Sequence, residues 1–128
     1  MNVSDSFKAL ERAEDALENS VYSLHGGFTL GTVNRAYYTM FYCMTALLAT
    51  QGVYAKTHQG IRAKFSELFI KSSLFPNNIA KYIGNAFDLR QEADYYLDTN
   101  ITEDEAKILV ENAREFYNLT KNHLENLA

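Results

Sequence analysis

Thr29-Leu30-Gly31-Thr32-Val33-Asn34-Arg35-Ala36-Tyr37-Tyr38-Thr39-Met40-Phe41-Tyr42-Cys43-Met44-Thr45-Ala46-Leu47-Leu48-Ala49-Thr50-Gln51 decides the fold, because it reads as a helix that is apolar nearly all round. Leu30, Val33, Tyr37, Phe41, Met44 and Leu48 make one face, and Arg35, Tyr38, Thr39, Tyr42, Ala46 and Ala49 make another. A helix with two faces to bury needs neighbours on both, so this segment is predicted to be a central helix, stopped by Gly52. Its apolar surface exceeds what one small bundle needs to cover, which predicts a homodimer.

The flanking sequence supplies the neighbours. A first helix is predicted from about Ser4, as N-cap, to Leu24, with Phe7, Leu10, Leu17, Val21 and Leu24 on one stripe and Gly26-Gly27 ending it. A third starts at Thr57, buries Ile61, Phe65, Leu68 and Phe69, and stops near Pro76. The fourth runs from about Asn77 to Leu97. A fifth opens on the capping box Thr102-Glu103-Asp104-Glu105 and continues through Ala106, Leu109, Ala113, Phe116, Leu124 and Leu127. No alternating strand pattern occurs, so the expected fold is all-α, an up-and-down four-helix bundle with an additional shorter helix across one end.

At 128 residues the chain is long enough for one core, and one Pro, six Gly and the absence of repeats leave no linker, so residues 1–128 read as a single domain. The lone Cys43 rules out a disulfide framework and a CxxC pair, which suits a reducing cytoplasm. The start Met1-Asn2-Val3-Ser4-Asp5 has no basic leader region, and no apolar run is long enough to span a membrane. A net charge of −4 argues against a general nucleic-acid coat but allows a local basic pocket. Nine Tyr and eight Phe without a Trp suit cores, interfaces and base-stacking surfaces alike.

Several chemistries are absent. Di-iron bundles need Glu-x-x-His pairs, whereas the residues three before His25, His58 and His123 are Tyr22, Ala55 and Thr120. There is no Gly-x-x-x-x-Gly-Lys loop and no Gly-x-Gly-x-x-Gly turn. Neither metal nor cofactor is expected.

Three constellations remain. In Arg90-Gln91-Glu92-Ala93-Asp94-Tyr95-Tyr96, Arg90 shares its helix face with Ile79, Ile83, Ala86, Ala93, Leu97 and Asp94, all within roughly 60° of it. A guanidinium that cannot lose its proton is expensive to bury alone, so Arg90 is either paired with Asp94 at i+4 or lines a pocket that receives an anion. Arg35, Tyr38, Thr39 and Tyr42 form a polar stripe on the central helix, either a satisfied structural Arg or part of a site. Lys56-Thr57-His58-Gln59-Gly60 puts a Lys, a titratable His and free amides at a helix start, which suits an anion or simple capping by Thr57.

Asn34-Arg35-Ala36-Tyr37-Tyr38-Thr39-Met40-Phe41-Tyr42, Lys56-Thr57-His58-Gln59-Gly60 and Leu89-Arg90-Gln91-Glu92-Ala93-Asp94-Tyr95, in this order and spacing, resemble the signature blocks of the short prokaryotic HEPN-domain family (higher eukaryotes and prokaryotes nucleotide-binding). The resemblance covers Ser4 to Leu127. It implies a helical bundle that dimerises with a cleft near the fourth helix, often working with a minimal nucleotidyltransferase and in some pairs acting as toxin and antitoxin. Catalytic members resembling this chain are metal-independent ribonucleases with an Arg followed by a His, in which His moves a proton and Arg stabilises phosphate charge. Arg90 matches that Arg, but the positions open to the His hold Tyr95, Tyr96 and Leu97.

The resemblance therefore implies a HEPN protein that binds nucleotide or RNA phosphate through Arg90 and Arg35, with Lys56, His58 and Tyr95 as further ligand contacts and Asp94 and Tyr38 as orienting residues. The alternatives are a ribonuclease toxin using Arg90 with His58, and an interaction scaffold with structural arginines.

Overall fold

A computed structural model describes residues 3–127; Met1, Asn2 and Ala128, and with them the start used above to argue against a leader, lie outside the described residues. Five α-helices follow one another: α1 Val3–His25, α2 Thr29–Ala49, α3 His58–Phe65, α4 Asn77–Tyr95 and α5 Glu103–Leu127. There is no strand among the described residues. One wider, π-helical turn, Ser66–Ile70, prolongs α3, and its Lys71 N–H donates to the Ser66 carbonyl at 2.9 Å.

Local signals end α1 and α2 and start α3 and α5 as the sequence predicts. α1 and α2 both close in a Schellman arrangement: Phe28 N–H donates to Ser23 O at 2.9 Å, Val53 N–H to Leu48 O at 3.0 Å, and Gly27 and Gly52 take φ of +78° and +70°. Thr57 caps α3, its Oγ1 accepting from Gly60 N–H at 2.9 Å. The Thr102–Glu105 capping box is complete, with Glu105 N–H donating to Thr102 Oγ1 and Thr102 N–H to Glu105 Oε1, both at 3.1 Å.

The bundle runs up and down around α2, which packs against all the other helices. Tyr54, just past α2, bonds Asp5 at the start of α1, so these two are antiparallel. Tyr117 bonds Glu14 while Leu24 lies by Glu103, so α5 runs against α1, and the Asn78–Glu115 bond sets α4 against α5. On α1 the buried stripe is made of small residues, Ser6, Ala9, Ala13, Ala16 and Ser20, with Leu10 and Leu17 beside them. Small side chains at this spacing let α1 lie close along α2, the most extensive pairing in the fold. Cys43 is fully buried on α2, and burial pushes its thiol up to about 12.

Five expectations need correction. Ser4 is not an N-cap, because α1 has already begun at Val3; Asp5 instead supplies first-turn negative charge. Leu97, placed on the buried face of α4, is fully exposed, because the helix ends at Tyr95 and Tyr96 is extended, so the helical angle no longer applies. Leu30 and Leu127 lie near helix ends beyond their neighbours' reach and are about half exposed, at 46% and 55%. Leu68 is only half-buried, one residue short of the fully buried Phe69.

α1 and α4 lie on different flanks of α2, and among the described residues their backbones do not meet. The α2 strip between them is therefore only half-buried: Asn34, Arg35, Tyr38, Phe41, Tyr42 and Thr45.

Because Ala13 is fully buried on α1, Ala13→Leu has no space for its added carbons. It is expected to cost about 1–3 kcal/mol, read as a lower urea midpoint with an unchanged slope.

Candidate functional site: an arginine and tyrosine face

α2, α3 and α4 converge on a row of rings. Tyr37 and Tyr38 come from α2 with ring centroids 5.2 Å apart, and Phe87 of α4 lies 6.3 Å from Tyr37. His58, the first residue of α3, touches Tyr37, Tyr38 and Phe41, the last at 4.3 Å between centroids. Thr57 capping fixes where α3 starts, and that start aims the imidazole inward.

Arginines lie over these rings. The Arg90 guanidinium carbon stands 5.0 Å from the Tyr37 centroid and 5.6 Å from the Tyr38 centroid. Arg35 stands 5.0 Å from the same Tyr38 ring. Two cations thus share one half-exposed tyrosine, each attracted to the ring quadrupole. Arg90 Nε lies 3.1 Å from Asp94 Oδ2, the predicted i+4 pair, with side chains 18% and 32% exposed. The buried Nε nevertheless has no hydrogen bond of good geometry, so this contact is a charge pair rather than an aligned hydrogen bond. The two Nη groups retain access to solvent. Arg35 donates from Nε and Nη2 to Asn34 Oδ1 at 3.0 and 2.9 Å, and among the described residues it has no ion pair.

Tyr37 and His58 share a 2.9 Å hydrogen bond between the phenol and Nδ1. The Tyr37 ring is almost wholly buried, so its phenolic proton needs an acceptor, and His58 Nδ1 is the one within reach among the described residues. Burial raises the Tyr37 pKa, partly offset by the Arg90 charge, so the phenol keeps its proton. Burial and then the Arg90 charge lower that of His58, favouring a neutral imidazole. The neutral ring, accepting at Nδ1, carries its proton on Nε2, which is a donor without a lone pair for a substrate proton.

The sequence-level candidates divide into two groups. Arg90, Asp94, Arg35, Tyr38 and His58 are brought together. Lys56 is exposed, and Tyr95 is 72% exposed with no ring contact to this row among the described residues. The Gly60 amide, expected to be free for an anion, is taken by the Thr57 cap. No group of three or more metal-ligating side chains gathers among the described residues. Sequence reading missed Arg62, whose guanidinium carbon lies 5.3 Å from the Phe87 centroid. The available signal is Gly84 inside α4: a Cβ there would stand 3.2 Å from Arg62 Nη2, so the glycine makes a notch for that side chain.

The HEPN domain description matches residues 8–124. A protein named "Putative toxin" from Methanocaldococcus jannaschii is 38% identical over 117 residues, covering 91% of this chain and 80% of that protein. A second protein of that name from the same organism is 28% identical over 127 residues, covering 98% and 94%. A "UPF0332 protein" from Thermotoga maritima is 28% identical over 116 residues, covering 91% and 88%.

The lowered His58 pKa sets the sign of a pH effect. Below the ordinary value of 6.5 the unfolded chain takes up a proton that folded His58 resists, so stability is full above that range and falls as pH drops through it. His123, also lowered by burial, acts in the same sense. His58→Gln is expected to lose less stability than the native protein between about pH 7.5 and about pH 5.5, measured as urea midpoints at both.

Proposed function

The chain belongs to the HEPN family, and on that premise we propose that it binds RNA or nucleotide phosphate on the face formed by Arg35, Tyr38, His58 and Arg90, with little or no catalysis of its own. One observation carries this reading: two guanidinium groups stand over the single ring of Tyr38, and the one carboxylate paired there, Asp94, is paired with Arg90 alone. A purely structural pair needs one cation for one anion. Here positive charge is left over at a half-exposed site, on a chain whose net charge is −4. The Nη groups of Arg90 and the Nε2–H of His58 are donors of the kind phosphate oxygens accept, and Tyr38, Phe41 and Tyr42 offer ring surface for a base.

Two relatives carry toxin names, and this chain is read accordingly as the HEPN half of a toxin–antitoxin pair. Its proposed partner is a minimal nucleotidyltransferase, its proposed state a homodimer, and its proposed location the cytoplasm. Among the described residues no helix is long and apolar enough to cross a membrane. The match over residues 8–124 and the shared core of α1, α2, α4 and α5 support treating the chain as a single domain.

A second reading, a metal-independent ribonuclease using Arg90 and His58, draws on their common contact with Tyr37 and Tyr38. The tautomer argued above counts against it, because Nε2 cannot then serve as a general base.

Binding of a short RNA at two salt concentrations in EDTA tests the proposal. Arg90→Ala is expected to weaken binding about tenfold and to flatten its salt dependence, while the RNA stays intact. Negligible binding by the native protein would defeat the reading. RNA cleavage lost in both Arg90→Ala and His58→Ala would transfer it to the ribonuclease.

The exposed apolar side chains around the α1–α2 turn, Tyr22, Phe28 and Leu30, support the homodimer without using the phosphate-binding face. Light scattering at tens of micromolar protein is expected to give twice the 14.6 kDa chain mass, shifting toward the single mass in Leu30→Glu.

A further inference from the structure

We propose that Arg62 forms a second phosphate subsite, so that the ligand is a single RNA strand presenting at least two phosphates rather than a lone mononucleotide. The inference rests on the phosphate-binding reading above and specifies its ligand.

Three helices each contribute one arginine to one row of rings. Arg35 of α2 lies over Tyr38, Arg90 of α4 over Tyr38 and Tyr37, and Arg62 of α3 over Phe87. The rings are contiguous, with steps of 5.2 and 6.3 Å between centroids from Tyr38 to Tyr37 to Phe87. The cations are thus set on different members of one chain of neighbouring rings. The charge of Arg62 is felt at Tyr37, where it lowers the phenol pKa beside the larger effect of Arg90. Arg62, set over Phe87, therefore belongs to the same electrostatic neighbourhood as Arg90.

Arg62 has no structural need met by its position. It is exposed, and among the described residues no carboxylate lies within ion-pair distance, whereas its helix neighbour Lys64 is paired with Glu67 at 3.7 Å. Its guanidinium nevertheless lies across α4 instead of extending into water, in the notch left by Gly84. Gly84 lets Arg62 rest close against α4 beside Phe87, held by the ring and ready for an anion.

Arg35 and Arg90 lie over Tyr38 while Arg62 lies over Phe87, and cations set on different rings suit successive phosphates of one strand better than a single phosphate. A strand rather than a duplex follows from the half-exposed Tyr38, Phe41 and Tyr42, because a duplex hides the base faces that such rings stack upon.

Binding of AMP, ATP and a 5′-phosphorylated RNA tetranucleotide to the native protein, Arg62→Ala, Arg62→Lys and Arg90→Ala, each across a salt series in EDTA, tests this. Circular dichroism confirms folding of each variant. Arg62→Ala is expected to weaken the tetranucleotide about tenfold and to lower its log–log salt slope by about 0.7, the value for one phosphate contact on a single strand. AMP binding should be unchanged by Arg62→Ala and weakened by Arg90→Ala, and Arg62→Lys should keep the native slope. An unchanged tetranucleotide slope in Arg62→Ala, with Arg90→Ala still defective, would overturn the second subsite and leave the parent reading standing. Equal Arg62 dependence for AMP, or for ATP, would overturn the assignment to a strand. Absence of any binding by the native protein would sink the parent reading and this one together.

Discussion

Close packing of α1 on α2, with Ser6, Ala9, Ala13, Ala16 and Ser20 as the small buried side chains of α1, is the constraint from which the rest of the arrangement follows. Small residues leave little side-chain volume between the two helices, so α1 lies along one flank of α2. α5 then covers the junction of both, and α4 joins α2 and α5 on the other side. With α1 and α4 kept apart, α2 cannot be enclosed all round. Apolarity explains why α2 is central, but the small stripe explains which of its residues stay near the surface.

The site occupies that gap, and its chemistry is shaped by the difficulty of accommodating a fixed positive charge there. Arg90 is partly removed from water and has one carboxylate at a poor hydrogen-bonding angle. The rings of Tyr37 and Tyr38 supply the remaining stabilisation, as electron-rich faces rather than as counter-ions. A ring face lessens the cost of partial burial without neutralising the cation, so the field of Arg90 persists. His58 registers it in a lowered pKa, and Tyr37 registers it as a pull opposing the effect of burial. Phenol, imidazole and guanidinium form one electrostatic unit, and a change at any of them alters the other two.

Much of this was legible in the sequence where the signal was local. The capping box at Thr102, the glycines after α1 and α2, and the Arg90–Asp94 spacing depend on residues within one or two turns, and all appear in the structure. Helix-angle reasoning failed at Leu97 because the angle has meaning only while the helix continues. The meeting of His58 with Tyr37 spans 21 residues and depends on how the loop after Gly52 returns α3 to α2, which no periodicity encodes. Arg62 was invisible for a related reason. Its partner is a notch at Gly84 on another helix, and a mid-helix glycine by itself does not say which side chain it admits. The stripe of small residues on α1 was overlooked because attention to large apolar side chains passes over alanine and serine.

Cys43 carries a different consequence. Its thiol is wholly enclosed on α2, its pKa is pushed up to about 12 by burial, and Thr120 of α5 is close to it. Thiolate is the reactive species, so disulfide exchange and alkylation are suppressed twice, by exclusion of reagent and by scarcity of the anion. Reaction at this sulfur requires α5 to lift from α2, which exposes the centre of the bundle. The rate of thiol modification is thus tied to the opening equilibrium of the α2–α5 seam. The fold has a chemical clock at its middle that stays silent while the bundle is closed.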